Sequence, residues 1–206
     1  MEDTERRSAF VGALTTEHYV LQSAAGTAIT EGGARATAFI LTVSSSMVAI
    51  GFTVGNSWVF WPFVSAVLPL LFGLGLITTV RLVETGAQSL MYQRAIVRIR
   101  RFYRQLDQEN AEYFGQYSRH PDPADATEAL AMLAVRRKPE LFSIATTTGL
   151  ITAGIGAIGT ALVVIRVAGT DALLLAYCTG GAALVALLTV FFWFERRQYR
   201  DALRDA

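Results

Sequence analysis

Stretches without any charged side chain or histidine alternate along the chain with stretches in which charge is dense. Four uncharged stretches hold about 19 to 25 residues each, and only the polar run 55–57 separates the first two. They are residues 36–54, 58–80, 141–165 and 172–194. A helix rises about 1.5 Å per residue, so each stretch is long enough to cross the roughly 30 Å hydrocarbon layer of a membrane. The pattern predicts an all-α integral membrane protein with four transmembrane helices in two hairpins, 36–80 and 141–194.

Outside these hairpins, apolar residues recur at helical spacing. In the segment 81–140, the apolar positions from Tyr92 to Tyr117 keep close to a 3.5-residue rhythm. This rhythm predicts an amphipathic helix that continues the second span and offers a seam to another helix. The positions from Phe10 to Ala28 predict a second amphipathic helix within 1–35, and residues 195–206 form a basic tail.

The distribution of arginine and lysine predicts the orientation in the membrane. Of the 18 basic residues, three precede the first span, ten lie between the second and third spans, and four follow the fourth. Only Arg166 falls in a loop on the other side. Because cytoplasmic loops carry the excess of basic residues, both termini and the segment 81–140 are expected to be cytoplasmic. We expect a multi-pass membrane protein, with the lipid bilayer as its first partner.

The stretch "ITAGIGAIGT" holds Gly154, Gly156 and Gly159 in the G-x-G-x-x-G spacing of dinucleotide-binding loops. Such a loop needs a preceding strand and a helix that begins at the phosphate. Here the glycines lie in the middle of a predicted span, which must be helical because lipid cannot satisfy backbone hydrogen bonds. The motif is therefore interpreted as helix packing, and no cofactor is expected.

Small residues on one face of the third span predict close contact with the fourth. Such residues let two helix backbones approach each other in a membrane. The predicted packing residues are Gly149, Ala153, Gly156 and Gly159 in the third span, and Ala176, Gly180 and Ala183 in the fourth.

Hydroxyl side chains are concentrated in the first and third spans. Hydroxyls along a wet path can replace part of the hydration shell of an ion. The alternative is that they bond back to their own helix carbonyls or across to another helix. The pore-lining candidates are Thr42, Ser45, Ser46, Thr146, Thr148 and Thr152.

Two further features bear on gating and on partners. Pro69 lies in the middle of the second span, where its missing N–H predicts a kink and a candidate hinge. Arg94, Arg98 and Arg101 form a stripe on the cytoplasmic helix that can contact anionic lipid or an anionic effector. A solvated face paired with nearby acids is the alternative for these arginines.

No constellation for catalysis or metal binding is visible. The two histidines and the single cysteine are scattered, so no metal-ligand spacing exists. No nucleophile, carboxylate pair or phosphate loop is recognisable, and the chain is not expected to be an enzyme. Segment 81–140 holds ten basic and eight acidic residues, a near balance that argues against nucleic acid as a partner.

Two phrases carry a resemblance: "EHYVLQSAAGTAITEGGARATAFILTVSSSMVAIGF" and "VRLVETGAQSLMYQRAIVRIRRFYRQL". They resemble an uncharacterised group of small four-span membrane proteins of high-GC bacteria, a likeness that implies a location in the bacterial inner (plasma) membrane and implies no activity. A membrane hairpin flanked by cytoplasmic helices is also similar in layout to the SLATT effectors, which implies pore formation. Two hairpins in place of one is a departure from that layout.

Two functions from different classes remain open. The first is a homo-oligomeric ion channel or pore, either anion-conducting or gated by an effector. It follows from the hydroxyl-rich spans, the absence of ionisable residues within the four spans and the oligomer-suited seam. The second is a membrane scaffold that binds a cytoplasmic protein through its helices outside the membrane.

Overall fold

The structure, a computed structural model of the 206-residue chain, describes residues 2–106 and 144–204. This part of the chain is all-helical. Its four long helices are α1 (Glu2–Thr53), α2 (Ser57–Leu106), α3 (Ile144–Ala168) and α4 (Leu173–Arg204). Each is long and apolar enough to cross a membrane, which indicates a multi-pass membrane protein and confirms the four predicted spans. The remainder of the predicted segment 81–140, residues 141–143 and the end of the tail lie outside the described residues.

The helices α1, α2 and α4 extend well past the predicted spans. α1 runs without a break through the predicted boundary at residue 35, so residues 2–35 continue the first spanning helix. α2 likewise continues the second span as far as Leu106 and keeps both Pro62 and Pro69 inside it. The physical reason is that nothing in these boundary sequences caps or breaks a helix, and glycine alone weakens one by only about 1 kcal/mol.

Short turns at the polar breaks connect the helices of each hairpin. Between α1 and α2, the Asn56 side-chain oxygen accepts a hydrogen bond from the Trp58 backbone N–H at 3.2 Å. Asparagine is a strong helix N-cap for this reason. Between α3 and α4, Gly169 takes a φ of 81°, which favours glycine, before the single 3-10 turn Thr170–Ala172.

The described residues divide into two compact units. The four-helix unit comprises 32–84 and 144–198, and the charged unit comprises 2–31, 85–106 and 199–204. The four-helix unit has two apolar clusters. One is formed by Ala36, Leu82, Val83 and Ala145 with Phe191 and Phe194 packed on it. The other is formed by Phe39, Val43, Leu71 and Ile155 with Val67, Leu68, Phe72 and Ile151 around it.

Contacts between α1 and α2 hold the charged unit together. The rings of Phe10 and Phe102 meet edge to face, with centroids 5.5 Å apart, an arrangement that aromatic pairs prefer. The hydroxyls of Thr15 and Tyr103 lie 3.1 Å apart. The Tyr199 hydroxyl approaches α2 at Gly86, where a larger residue would collide with it.

Candidate functional site

The hydroxyl side chains of α1 lie on the outside of the four-helix unit. Thr42 and Ser45 are exposed, and Ser46 is half-buried. The Thr42 hydroxyl donates to the Ala38 carbonyl at 2.8 Å, and the Ser45 hydroxyl donates to the Leu41 carbonyl at 2.8 Å. These bonds occupy the hydroxyl protons, and the oxygens remain available as acceptors.

The inward face of α1 explains why these hydroxyls point outward. Ala36, Phe39 and Val43 are buried, at spacings of three and four residues. At about 100° per residue these three side chains share one helix face, Ser45 lies on the opposite side, and Thr42 lies at the border of that face. Burial of the Phe39 ring, which is 2% exposed, therefore directs Ser45 outward and leaves Thr42 at the exposed edge.

Two threonines of α3 lie in the opposite environment, whereas Thr147 and Thr160 are exposed. Thr148 is fully buried and Thr152 is 3% exposed, while Thr146 is half-buried. The Thr148 hydroxyl donates to the Ile144 carbonyl at 3.0 Å, and the Thr152 hydroxyl donates to the Thr148 carbonyl at 2.8 Å. Gly75 of α2 leaves room for the Thr152 side chain, which would collide with any larger residue there.

Four of the six pore-lining candidates are divided between two environments, and the other two, Ser46 and Thr146, are half-buried. Thr42 and Ser45 lie on the exposed face of α1, whereas Thr148 and Thr152 lie inside the bundle of a single chain. The structure does not bring the two sets together on one surface. Conduction along any of them stays a prediction.

Glu195 is a functional candidate that the sequence reasoning missed. It lies one residue beyond the predicted fourth span, yet its side chain is completely buried in the four-helix unit. The Thr146 hydroxyl donates to one of its carboxylate oxygens at 3.5 Å. Burying a carboxylate is costly unless hydrogen bonds or charges compensate it. The only signal in the sequence is its place between the apolar Phe194 and the basic Arg196.

A small cavity lies deeper in the same unit. It has a volume of about 40 Å³ and is bordered by the side chains of Thr79 and Thr152, among apolar groups. Thr79 is 5% exposed, and its hydroxyl has no hydrogen-bond partner among the described residues. A volume of this size is enough for one water molecule, which needs polar neighbours of this kind.

The small residues predicted to pack α3 against α4 lie in several different environments. The carbonyl oxygen of Ala157 would lie 3.1 Å from a Cβ placed on Gly180, and the Cβ of Ala161 would lie 3.2 Å from it. Gly149 and Gly156 instead make room for larger side chains, Phe191 and Leu187 of α4. Of the other predicted packing residues, Ala153 and Ala176 are buried, Ala183 is half-buried, and Gly159 has open space beside it.

The predicted hinge and arginine stripe lie at exposed or half-buried positions. Pro69 is exposed on α2, and the helix continues through it. In the charged unit, Arg98 and Arg101 are exposed and Arg94 is half-buried. The hinge role of Pro69 and the anion contact of the three arginines stay predictions.

His18 is the one histidine in the described residues, and it lies in the charged unit. Partial burial, followed by the positive charge of Arg100, lowers the pKa of His18 below its ordinary value of 6.5. Its Nδ1 atom is buried and has no hydrogen-bond partner in the described part of the chain. The neutral imidazole is therefore the form that this site favours.

Within residues 2–106 and 144–204, no group of three or more histidine, cysteine or acidic side chains is placed to hold a metal ion. Comparison of the chain with protein-family models, with curated proteins and with solved structures found no match. The function of the chain is therefore inferred from the geometry of the four-helix unit and from the charge pattern of the sequence.

Proposed function

We propose that this chain forms a homo-oligomeric ion channel or pore in the bacterial plasma membrane, with α1 facing the shared axis. The observation that carries the proposal is the outward direction of the hydroxyls on the spanning part of α1. Thr37, Thr42, Ser44 and Ser45 are all exposed there. The spanning part of α2 exposes fewer hydroxyl residues, Ser57 and Ser65, and both helices also expose apolar side chains such as Leu41 and Leu70.

An assembly of several chains would supply these hydroxyl groups with hydrogen-bond partners. The protons of Thr42 and Ser45 are already bonded to the backbone, but lipid hydrocarbon offers their oxygens no donor, whereas a water-filled axis or a neighbouring helix does. One four-helix unit buries its own interior with Phe39 and Leu71 and so has no room for an ion path of its own. A closed ring of chains would place the α1 faces around a common path, as symmetric oligomers do.

The direction of insertion in this proposal follows from charge and aromatic residues. Seventeen of the 18 basic residues lie on the side of the termini, which makes that side cytoplasmic. Exposed tryptophans mark the two ends of the spans, Trp58 at the connecting turn and Trp193 at the other end. The Arg197 guanidinium lies 5.6 Å from the centroid of the Trp193 ring, a pairing suited to a headgroup region.

Ion flux through liposomes that contain the purified protein tests the proposal. Potassium and chloride gradients are applied separately to the wild type and to a Ser45→Leu variant. We expect flux in the wild type and a change of several-fold in the variant, because leucine removes a polar ligand and narrows the path.

A matched control is available on α4. Thr189 is also exposed, and its hydroxyl also donates to a carbonyl of its own helix, that of Val185 at 2.7 Å. In the proposed assembly Thr189 faces lipid, so Thr189→Leu should leave the flux unchanged. Equal effects of the two variants, or no flux in a folded and inserted wild type under either gradient, would count against a channel.

A second candidate function is a membrane scaffold, and one feature of the charged unit favours it. A surface groove of about 500 Å³ lies there between the α1 and α2 portions. It is bordered by the exposed Tyr19 and Val20 and by Tyr92. Aromatic side chains are enriched where proteins bind one another. Co-purification of one stoichiometric cytoplasmic protein that Tyr19→Ala releases would favour this function over conduction.

A further inference from the structure

A groove of about 790 Å³ runs along the outside of the four-helix unit between α2, α3 and α4. Its wall on α2 extends from Trp61 to Phe72, and its wall on α3 extends from Ile155 to Val167. At about 1.5 Å per residue these walls are roughly 16–18 Å long. That length matches one leaflet of a hydrocarbon layer that is about 30 Å thick.

The groove is apolar along its length and charged at one end. Its hydroxyl residues, Ser65 and Thr160, donate to carbonyls of their own helices at 2.9 and 2.8 Å. The one ionisable residue in the lining is Arg166, in the last turn of α3. Its guanidinium carbon lies 5.7 Å from the centroid of the Trp61 ring.

Arg166 has no acidic partner among the described residues, where its one recorded interaction is with the face of Trp61. An arginine in this position presents a planar fork of N–H donors, the geometry that binds phosphate oxygens in pairs. Tryptophan is the aromatic residue most suited to the level of lipid headgroups. The charged end of the groove thus has the chemistry of a phosphate site at a membrane boundary.

We infer that the groove binds one anionic phospholipid, with an acyl chain along the apolar walls and the phosphate at Arg166. Charge complementarity selects this occupant: an uncharged helix of a second copy would leave the guanidinium without a counter-charge. The volume of about 790 Å³ lies within the roughly 300–1,000 Å³ of small-molecule sites, so the groove holds one acyl chain and leaves the rest of the lipid in the bilayer. The inference depends on the proposed membrane location of the four-helix unit, and it is independent of conduction.

Gly159 provides a way to close the groove. It lies in the lining, and a Cβ added there would have no heavy atom within 4 Å. A leucine at 159 can therefore extend into the groove without displacing the protein. Gly154, on the same helix, also has open space beside it but does not line the groove. Gly154→Leu is thus a control for the same substitution in the same helix.

Native mass spectrometry of the detergent-purified full chain tests the inference. The protein is titrated with phosphatidylglycerol, with phosphatidylcholine and with inorganic phosphate in separate experiments. We expect one retained phosphatidylglycerol per chain, weaker retention of phosphatidylcholine and none of inorganic phosphate. Arg166→Gln should weaken phosphatidylglycerol binding about tenfold, as loss of a charged hydrogen bond does. Gly159→Leu should abolish the adduct, and Gly154→Leu should keep it.

Equal binding of the two lipids together with an unaffected Arg166→Gln variant would overturn the inference. Wild-type retention in a Gly159→Leu variant would do the same. A Gly159→Leu variant that changes the oligomer mass without changing the lipid adduct would also overturn the inference, because it would identify a second copy of the chain as the occupant of the groove. Circular dichroism and size-exclusion chromatography establish that each variant is folded, and the exposed Arg166 supplies a test that does not depend on packing. Flux is measured separately, so a failed channel leaves this test intact.

Discussion

One hydroxyl residue of α1 and one of α3 are alike in the sequence and opposite in the structure. Ser45 and Thr148 both lie in apolar stretches, and both donate to the carbonyl four residues earlier. Ser45 is nevertheless exposed, whereas Thr148 has no exposed surface. A hydroxyl in a spanning helix is thus tolerated on either face once its proton is bonded to the backbone. Its role then depends on the face and not on the residue type.

The largest effect should come from breaking the inward face of α1. Phe39→Ala removes a ring that is 2% exposed, and loss of a buried phenylalanine costs about 3–5 kcal/mol. Phe52→Ala, on the same helix, removes a ring that is 85% exposed, and should cost less than about 0.5 kcal/mol. Unfolding in mixed detergent micelles measures both. Similar costs for the two would show that α1 does not pack through the Phe39 face.

A smaller effect is expected at the buried carboxylate. Glu195→Ala removes the hydrogen bond that the carboxylate accepts from the Thr146 hydroxyl, and loss of a hydrogen bond to a charged group costs about 1.5–3 kcal/mol. The control is Glu84→Ala, because Glu84 pairs with Arg81 at 3.3 Å on the surface. Exposed pairs contribute about 0–1 kcal/mol. Thermal melting in detergent should separate the two glutamates, and a Glu195→Ala protein as stable as wild type would show that the Thr146–Glu195 hydrogen bond contributes no net stability.

Two adjacent glycines of α4 should respond in opposite directions to the same change. Gly180→Ala places a methyl group 3.1 Å from the Ala157 carbonyl oxygen, so we expect a loss of about 1 kcal/mol. Gly181→Ala meets no heavy atom within 4 Å, and it should gain about 0.5–1 kcal/mol from helix propensity. The midpoint of detergent-induced unfolding is measured for each variant and compared with that of the wild type. A gain at both positions would mean that α3 and α4 are less closely packed than the structure shows.

The smallest effect concerns pH and the charged unit. Because the folded protein lowers the pKa of His18 below 6.5, through burial and Arg100, the unfolded chain binds this proton more readily. Above about pH 6.5 His18 is mostly neutral in both states and should not lower the free energy of unfolding. That free energy should fall as the pH drops from about 6.5 through the lowered pKa of the folded state, because the unfolded chain then gains the proton first. Melting curves of the wild type and of a His18→Gln variant between pH 5 and 8 test this. An equal slope in both would exclude His18 as the cause.

The sequence predicted the elements well because a bilayer constrains them strongly. Spans such as 36–54 and 141–165 are read from length and from the absence of charge, and both depend only on local sequence. The burial of Glu195 could not be read in this way, because it depends on which side chains of α3 surround it. The same holds for the pairing of Gly180 with Ala157 and for the groove beside Arg166, which exist only after the helices pack.

The central claim is that the α1 hydroxyl face borders water within an assembly. Its most direct test is the reaction of a Ser45→Cys protein with a charged, water-soluble methanethiosulfonate in liposomes, after the single native cysteine is removed by Cys178→Ser. A thiol reacts as its thiolate, which forms in water and not in hydrocarbon. We predict rapid modification at position 45, with a change in flux, and none in a Thr189→Cys control. Modification of Thr189→Cys with an unreactive Ser45→Cys would contradict the account.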